Sequence, residues 1–186
     1  MLTRDQIAAV ARKVGLPLHT IERDYIQHLV LRHVMKGMFV FKGGTCLRIA
    51  RGSPRYSEDL DFNSDQDETQ VEDLFRETVR RLALYGVHAE LVKGRTVGNS
   101  FNARVRYEGP LFNGNPISRG TVWIEVSLRG EDVESEEVFV PRTPYADVPQ
   151  LVLVTLTEDH LLAEKVRALI IRKKAKDLFD VHFLMM

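Results

Sequence analysis

Apolar residues recur at three- and four-residue intervals near the amino terminus. Ile7, Val10, Ala11 and Val14 follow Thr3, predicting a helix over 3–13 with a threonine N-cap, stopped by Gly15 and Pro17. The same spacing returns over 19–35, where Ile21, Tyr25, Leu29, Val30 and Val34 predict a longer helix ending at Gly37. A short apolar run at 38–41 predicts a strand leading into Lys42-Gly43-Gly44-Thr45, and 46–50 a short helix broken by Arg51-Gly52-Ser53-Pro54. Over 56–62 the period changes to two, with Asp59 and Asp61 on one face and Leu60 and Phe62 on the other. An amphipathic helix is predicted at 68–84, closed by Gly86. Strand patterns at 87–92, 100–107 and 121–128 follow, joined by loops such as Phe112-Asn113-Gly114-Asn115-Pro116, with short edge strands at 138–140 and 151–154. From Thr157, an N-cap, helix runs to about Arg172 and continues or restarts over 175–184. Leu162, Val166, Leu169 and Ile170 predict its buried stripe and place Lys165 on the flank with Leu161, Ala168 and Arg172. The order predicts an α+β fold: a small mixed sheet flanked by helices, with a helical carboxyl-terminal part. The expected division is a core with amino-terminal helices at 1–155 and a helical segment at 156–186 belonging to the same unit.

Composition narrows the setting. With 186 residues, 44% hydrophobic and 28% charged, the chain can bury a core and is not a disordered or low-complexity sequence. The 26 basic and 26 acidic residues cancel, so any site for a polyanion must come from local clustering. Cys46 is the only cysteine, which excludes an intrachain disulfide and fits a cytoplasmic location. No signal-peptide pattern opens the chain, and no apolar run is long enough to span a membrane.

The candidate chemistry begins with Asp59-Leu60-Asp61. Two acids two apart on a strand put both carboxylates on one face, roughly 7 Å apart at Cα, where they can converge on magnesium, which prefers oxygen ligands. The same pattern also describes a solvated strand face. Upstream, Gly43-Gly44-Thr45 lets backbone N–H groups approach a phosphate at the start of a helix, although such a turn also serves purely for dihedral freedom. Asp59 follows Thr45 by 14 positions. That spacing, with an apolar residue after each acid, resembles the signature of the DNA polymerase β-like nucleotidyltransferases. In that superfamily the turn holds a triphosphate, the acids hold magnesium, and a third carboxylate on a neighbouring strand can orient or deprotonate the attacking hydroxyl. Glu125 is the candidate third acid, with a cross-strand partner for Arg104 or Arg106 as the alternative. Those arginines share a strand face with Asn102, either contacting an acceptor RNA or forming a plain salt-bridged surface. Lys165 has no acid at helical pairing distance, so it reaches either a substrate phosphate or solvent. Asp177 and Asp180 follow the basic run Arg172, Lys173, Lys174 and Lys176, and either acid can pair with these cations.

Four segments carry a more specific resemblance: Phe41-Lys42-Gly43-Gly44-Thr45-Cys46-Leu47-Arg48, Arg55-Tyr56-Ser57-Glu58-Asp59-Leu60-Asp61-Phe62, Ala163-Glu164-Lys165-Val166-Arg167-Ala168-Leu169 and Lys176-Asp177-Leu178-Phe179-Asp180. In this order they resemble the AbiEii/AbiGii toxin family, which includes MenT-like nucleotidyltransferases. The resemblance implies a minimal polymerase β-like fold, nucleoside triphosphate as substrate, a magnesium (or manganese) cofactor, and transfer of NMP to an acceptor such as tRNA. It also implies a toxin with a cognate antitoxin protein as partner. It assigns the metal to Asp59 and Asp61, and catalysis to these two with Glu125, Lys165 and Asp177. It assigns nucleotide binding to Gly43, Gly44, Thr45, Arg48, Ser57 and Lys165. The alternatives are a small-molecule nucleotidyltransferase and a non-catalytic nucleotide-binding module. Relatives often continue with further helices beyond the pattern that closes here at Met186, so part of an acceptor-binding surface is expected to be missing.

Overall fold

The computed structural model describes residues 1–34, 38–94, 98–130, 133–140 and 142–186. Helix α1 (Arg4–Val14) starts as its sequence predicts. The Thr3 hydroxyl accepts the Gln6 N–H, the Gln6 side chain accepts the Thr3 N–H, and Gly15 ends the helix at φ 72°. Helix α2 (Leu18–His33) is buried on nearly every side; its predicted end at Met35 and Gly37 lies outside the described residues. Being central, it carries buried polar groups that its apolar periodicity does not announce. Glu22 accepts the Leu111 N–H at 2.6 Å, and Asp24 accepts the Tyr145 hydroxyl at 2.5 Å. Both acids are therefore partnered, as burial of a charge requires.

The strands β1 (Val40–Lys42), β2 (Asp59–Asn63), β3 (His88–Lys93), β4 (Ser100–Glu108), β5 (Gly120–Ser127), β6 (Ser135–Val140) and β7 (Leu151–Leu156) make one mixed sheet. Its order is β3-β4-β5-β2-β1-β7-β6. Strand β2 sits between β1, antiparallel to it, and β5, parallel to it. Two boundaries beside the acid strand differ from the sequence reading. Residues 56–58 stay in the preceding loop, where Tyr56 is held by Arg48, so β2 begins at Asp59. Helix α3 (Gly43–Ala50) begins at Gly43, with no loop between strand and helix. Helix α4 (Glu68–Arg81) is capped by an Asp67–Gln70 box, and the predicted 68–84 helix finishes as a 3₁₀ turn, Leu82–Tyr85, closed by Gly86.

Helices α2 and α4 pack on the sheet. Facing them are Phe62, Phe101, Val105, Val122, Ile124 and Val126, all essentially inaccessible. Phe39, Phe62 and Phe75 stack edge-on or tilted at 5.0–5.7 Å, and Phe41 joins Phe62 at 5.2 Å. The chain closes with α5 (Glu158–Arg172) and α6 (Ala175–Leu184), a restart rather than a continuation, because Lys173 takes a left-handed φ of 51° between them. No helix is long and apolar enough among the described residues to cross a membrane.

Phe62 lies at the centre of the aromatic cluster directly beneath the acid-bearing face. Truncating it as Phe62→Ala is expected to cost about 3–5 kcal/mol. Urea denaturation checks this: the midpoint should fall with an unchanged slope.

Candidate active site

Register, more than proximity in sequence, builds the site. Asp61 pairs laterally with Lys42 of β1 on one side and Glu125 of β5 on the other, and Glu125 in turn pairs with Asn102 of β4. One step along the same face, Asp59 pairs with Trp123, and Trp123 with Arg104. Neighbouring strands lie about 4.8 Å apart, so three carboxylates share a small area of the sheet's polar face. Crowding shows in their proton affinity. Burial, then the charges of Asp59 and Glu125, push the Asp61 carboxyl up to about 7, and burial raises Asp59 as well. Among the described residues no three acid, His or Cys side chains form a ready-made metal cage. The donors here are nonetheless carboxylate oxygens with unfavourable mutual charge, a set that a hard divalent cation relieves.

The glycine turn exists because of Asp61. Gly43 has φ 77°, and a Cβ there would collide with the Asp61 carboxylate. A Cβ on Gly44 would sit 2.5 Å from Arg55 Nη2 and 2.8 Å from Ser57 Oγ. The backbone of the turn therefore presses against the acid strand and the 51–58 loop at once. Thr45 is buried, and its hydroxyl donates to the Asp59 carbonyl at 2.5 Å. Its side chain thus fixes the acid strand, and any phosphate contact at this residue falls to its backbone N–H.

Beyond the turn, a cleft of about 390 Å³ opens between the sheet face and α5. Lys42, Gly43, Asp61, Glu125 and Arg129 line it from the sheet side, and Glu164, Lys165, Arg167 and Arg172 from α5. Lys165 is not on the helix flank as the apolar count predicted. It is buried with Leu161, while Val166, Ile170 and Ile171 of α5 are exposed, the last two at 68% and 67%. The reason is a polar anchor. Lys165 Nζ lies 2.9 Å from Asp180 Oδ2 on α6, and the fully buried Asp180 also accepts Arg55 Nε at 2.8 Å and Nη2 at 2.6 Å. Burial opposes the Asp180 charge, but the hydrogen bonds from Arg55 and Lys165 outweigh it and hold the carboxyl below its ordinary value.

Neither acid of α6 lines the cleft itself; Asp180 reaches it through Lys165 and Asp177 through Arg172, and both of those cations do line it. Asp177 is buried with Arg172 Nη2 at 2.8 Å from its Oδ1. Residues 177 and 180 share a helix face, and their partners differ: Arg172 for the first, Lys165 and Arg55 for the second. The Lys165–Asp180 pairing had no signal in the sequence, because its partners lie on two different helices. Arg48 and Ser57 support the turn from below. Arg48 donates to the Tyr56 hydroxyl at 2.7 Å with its guanidinium 4.1 Å above that ring, and the Ser57 carbonyl accepts Gln27 Nε2 at 3.2 Å.

A family model described as "Nucleotidyl transferase AbiEii toxin, Type IV TA system" matches residues 28–186. MenT4, a nucleotidyltransferase toxin of Mycobacterium tuberculosis, superposes with a TM-score of 0.71 at 26% identity, over 97% of this chain and 63% of its own. JHP933 of Helicobacter pylori superposes with a TM-score of 0.68 at 20% identity, over 89% of this chain and 65% of its own, a likeness of fold alone. The chain thus spans a little under two thirds of the length of these structures. No curated protein sequence is similar enough to count as a relative.

Two outcomes follow. Because the folded Asp61 binds its proton more tightly than the unfolded chain does, its contribution favours folding below pH 4 and is lost as pH rises towards 7. In metal-free buffer Asp61→Asn should raise Tm at pH 8, and that advantage over the parent protein should vanish near pH 4. Asp180→Ala, which strands Arg55 and Lys165 without their partner, should cost about 3–5 kcal/mol by urea denaturation.

Proposed function

The chain belongs to the AbiEii family of nucleotidyltransferase toxins, and from that premise we propose that it transfers a nucleoside monophosphate from a nucleoside triphosphate to a hydroxyl of an RNA acceptor, tRNA being the first candidate. The single observation that carries this reading is the lateral array of Asp59, Asp61 and Glu125 beside a cleft lined by Lys165, Arg167 and Arg172. Carboxylates on the sheet facing a helix rich in cations suit a metal-bound polyphosphate better than a neutral ligand. The cleft's volume also falls within the range of small-ligand sites. Proposals of the same standing are magnesium or manganese at Asp59 and Asp61, a cognate antitoxin as partner, and a cytoplasmic location.

Each group then has a task. The N–H groups at the start of α3 and the cations of α5 receive the phosphates. Lys165, immobilised by Asp180, offers a charge that need not reorganise as negative charge moves towards the leaving pyrophosphate. A magnesium ion held by Asp59 and Asp61 would supply positive charge to the α-phosphate and to the attacking oxygen. Glu125, exposed beside Asp61, is placed to orient the acceptor hydroxyl and take its proton. The oxygen of that hydroxyl bonds to the α-phosphorus, the bond from the α-phosphorus to the bridging oxygen breaks, and pyrophosphate carries away the electron pair.

The test is incubation with magnesium, total tRNA and each α-labelled nucleoside triphosphate. Label should enter RNA with the parent protein and not with the Asp59→Ala, Asp61→Ala double variant. Lys165→Ala should lower the rate roughly 10²- to 10³-fold. Full transfer by Asp59→Asn would sink the assignment of the acids, and label found only on a small molecule would replace the RNA acceptor.

A further inference from the structure

The polar face of the sheet does not stop at the cleft. On the side of the carboxylates away from Arg129, the lateral row Arg104–Trp123–Asp59 runs across β4, β5 and β2. Trp123 is 47% exposed although it stands beside buried Val122 and Ile124, because the period-two alternation of β5 turns it outward with Glu125. The Arg104 guanidinium lies 5.0 Å from the indole centroid, and among the described residues it has no ion pair to a carboxylate. Lys176 and Arg23 sit close enough to Asp59 to act on its charge. The cleft leaves this row out: neither Trp123 nor Arg104 lines it. The acids thus stand between two different surfaces, a cation-lined cleft and an open aromatic and cationic platform.

We propose that Trp123 and Arg104 form the docking platform for the acceptor: the terminal base of a single-stranded RNA stacks on the Trp123 indole, and Arg104 meets the backbone phosphate beside it. This rests on the transfer reading above and adds the place where the acceptor is held. Arg104 occupies the β4 side of the ring, and on the β2 side the neighbour is Asp59, so a base seated there brings its ribose hydroxyls beside the carboxylates. The chemistry favours a nucleic-acid strand over a protein. The surroundings of the indole are Arg104, Thr121, Asn102, Glu125 and Asp59, without the contiguous apolar area a protein partner would cover. An isolated aromatic face with adjoining cations is how single strands are held without sequence readout. The net charge of zero fits as well, because affinity here comes from one stacked base and a few local cations rather than a basic field.

Trp123 is the chain's only tryptophan, so its fluorescence reports the site directly and without turnover. The first experiment titrates the protein with an unstructured hexaribonucleotide and, separately, with each nucleoside triphosphate. Saturable quenching by the oligonucleotide, and none by the triphosphates, is the expected result; quenching by triphosphate alone would assign the ring to the nucleotide and overturn the proposal. The second experiment compares variants in the labelling assay. Trp123→Ala should raise the acceptor KM about ten-fold or more, leave the KM for nucleoside triphosphate unchanged, and be largely rescued by Trp123→Phe; Arg104→Ala should weaken oligonucleotide binding and flatten its salt dependence. Transfer to RNA with an unaltered acceptor KM in Trp123→Ala would overturn the platform and leave the transfer reading in place. Oligonucleotide quenching with no label entering any RNA would sink the transfer reading and with it the acceptor role, leaving Trp123 as a single-strand-binding surface only.

Discussion

Asp61 is held between a lysine on one neighbouring strand and a glutamate on the other, and most of the surrounding structure answers to that placement. A carboxylate set beside two others resists ionisation, and burial adds to the resistance. The approach of the Asp61 side chain then excludes any Cβ at residue 43, which makes glycine with positive φ the residue that can turn β1 into α3 there. Stability is given up at this point, since the crowded carboxylates remain close together on the polar face of the sheet.

The carboxyl-terminal helices are fastened to the same spot by charge more than by apolar packing. Lys42 reaches Glu164 of α5 at 2.7 Å, and Lys165 and Arg55 both close on Asp180. Buried ion pairs of this kind gain little over a hydrophobic substitute, but they fix geometry and penalise every arrangement that leaves one partner alone. Arg55 also lies against Gly44, so the position of α6 is transmitted to the start of α3 through one side chain. From the other side the Gln27–Ser57 hydrogen bond and the Arg48–Tyr56 contact brace the loop that carries Arg55 and Ser57. The glycine turn is thereby supported from α2, from α6 and from β2 at once.

That bracing leaves the polar face of the sheet divided. On the α5 side it is roofed and lined with cations, and on the β4 side it is open, with an indole and a guanidinium in register with Asp59. A reaction that joins two substrates needs two approaches to the same acids, and the sheet offers them by register alone. The pairing of Asn102 with Glu125 and of Arg104 with Trp123 keeps the open side polar, so it stays accessible without inviting apolar association.

The sequence by itself determined the α+β class, most elements, the alternation that turns Asp59, Asp61 and Glu125 to the polar face, and the glycine turn with its spacing to the acids. These follow from periods of 2 and 3.6 and from dihedral demands, which are local properties. Only the tertiary structure decided which strands are neighbours, hence that Asp61 meets Glu125 and that Trp123 stands beside Asp59. It also decided which face of α5 is buried. The apolar count pointed to Val166 and Ile170, yet Lys165 turned inward because Asp180 of another helix, itself held by the sequence-distant Arg55, provides a charge partner that no local pattern reveals. Thr45 shows the same division. Its place after two glycines is legible as a turn, while its hydroxyl is committed to the Asp59 carbonyl by a strand pairing formed only on folding. Local chemistry sets what each residue can do, and long-range contacts select which of those possibilities it performs.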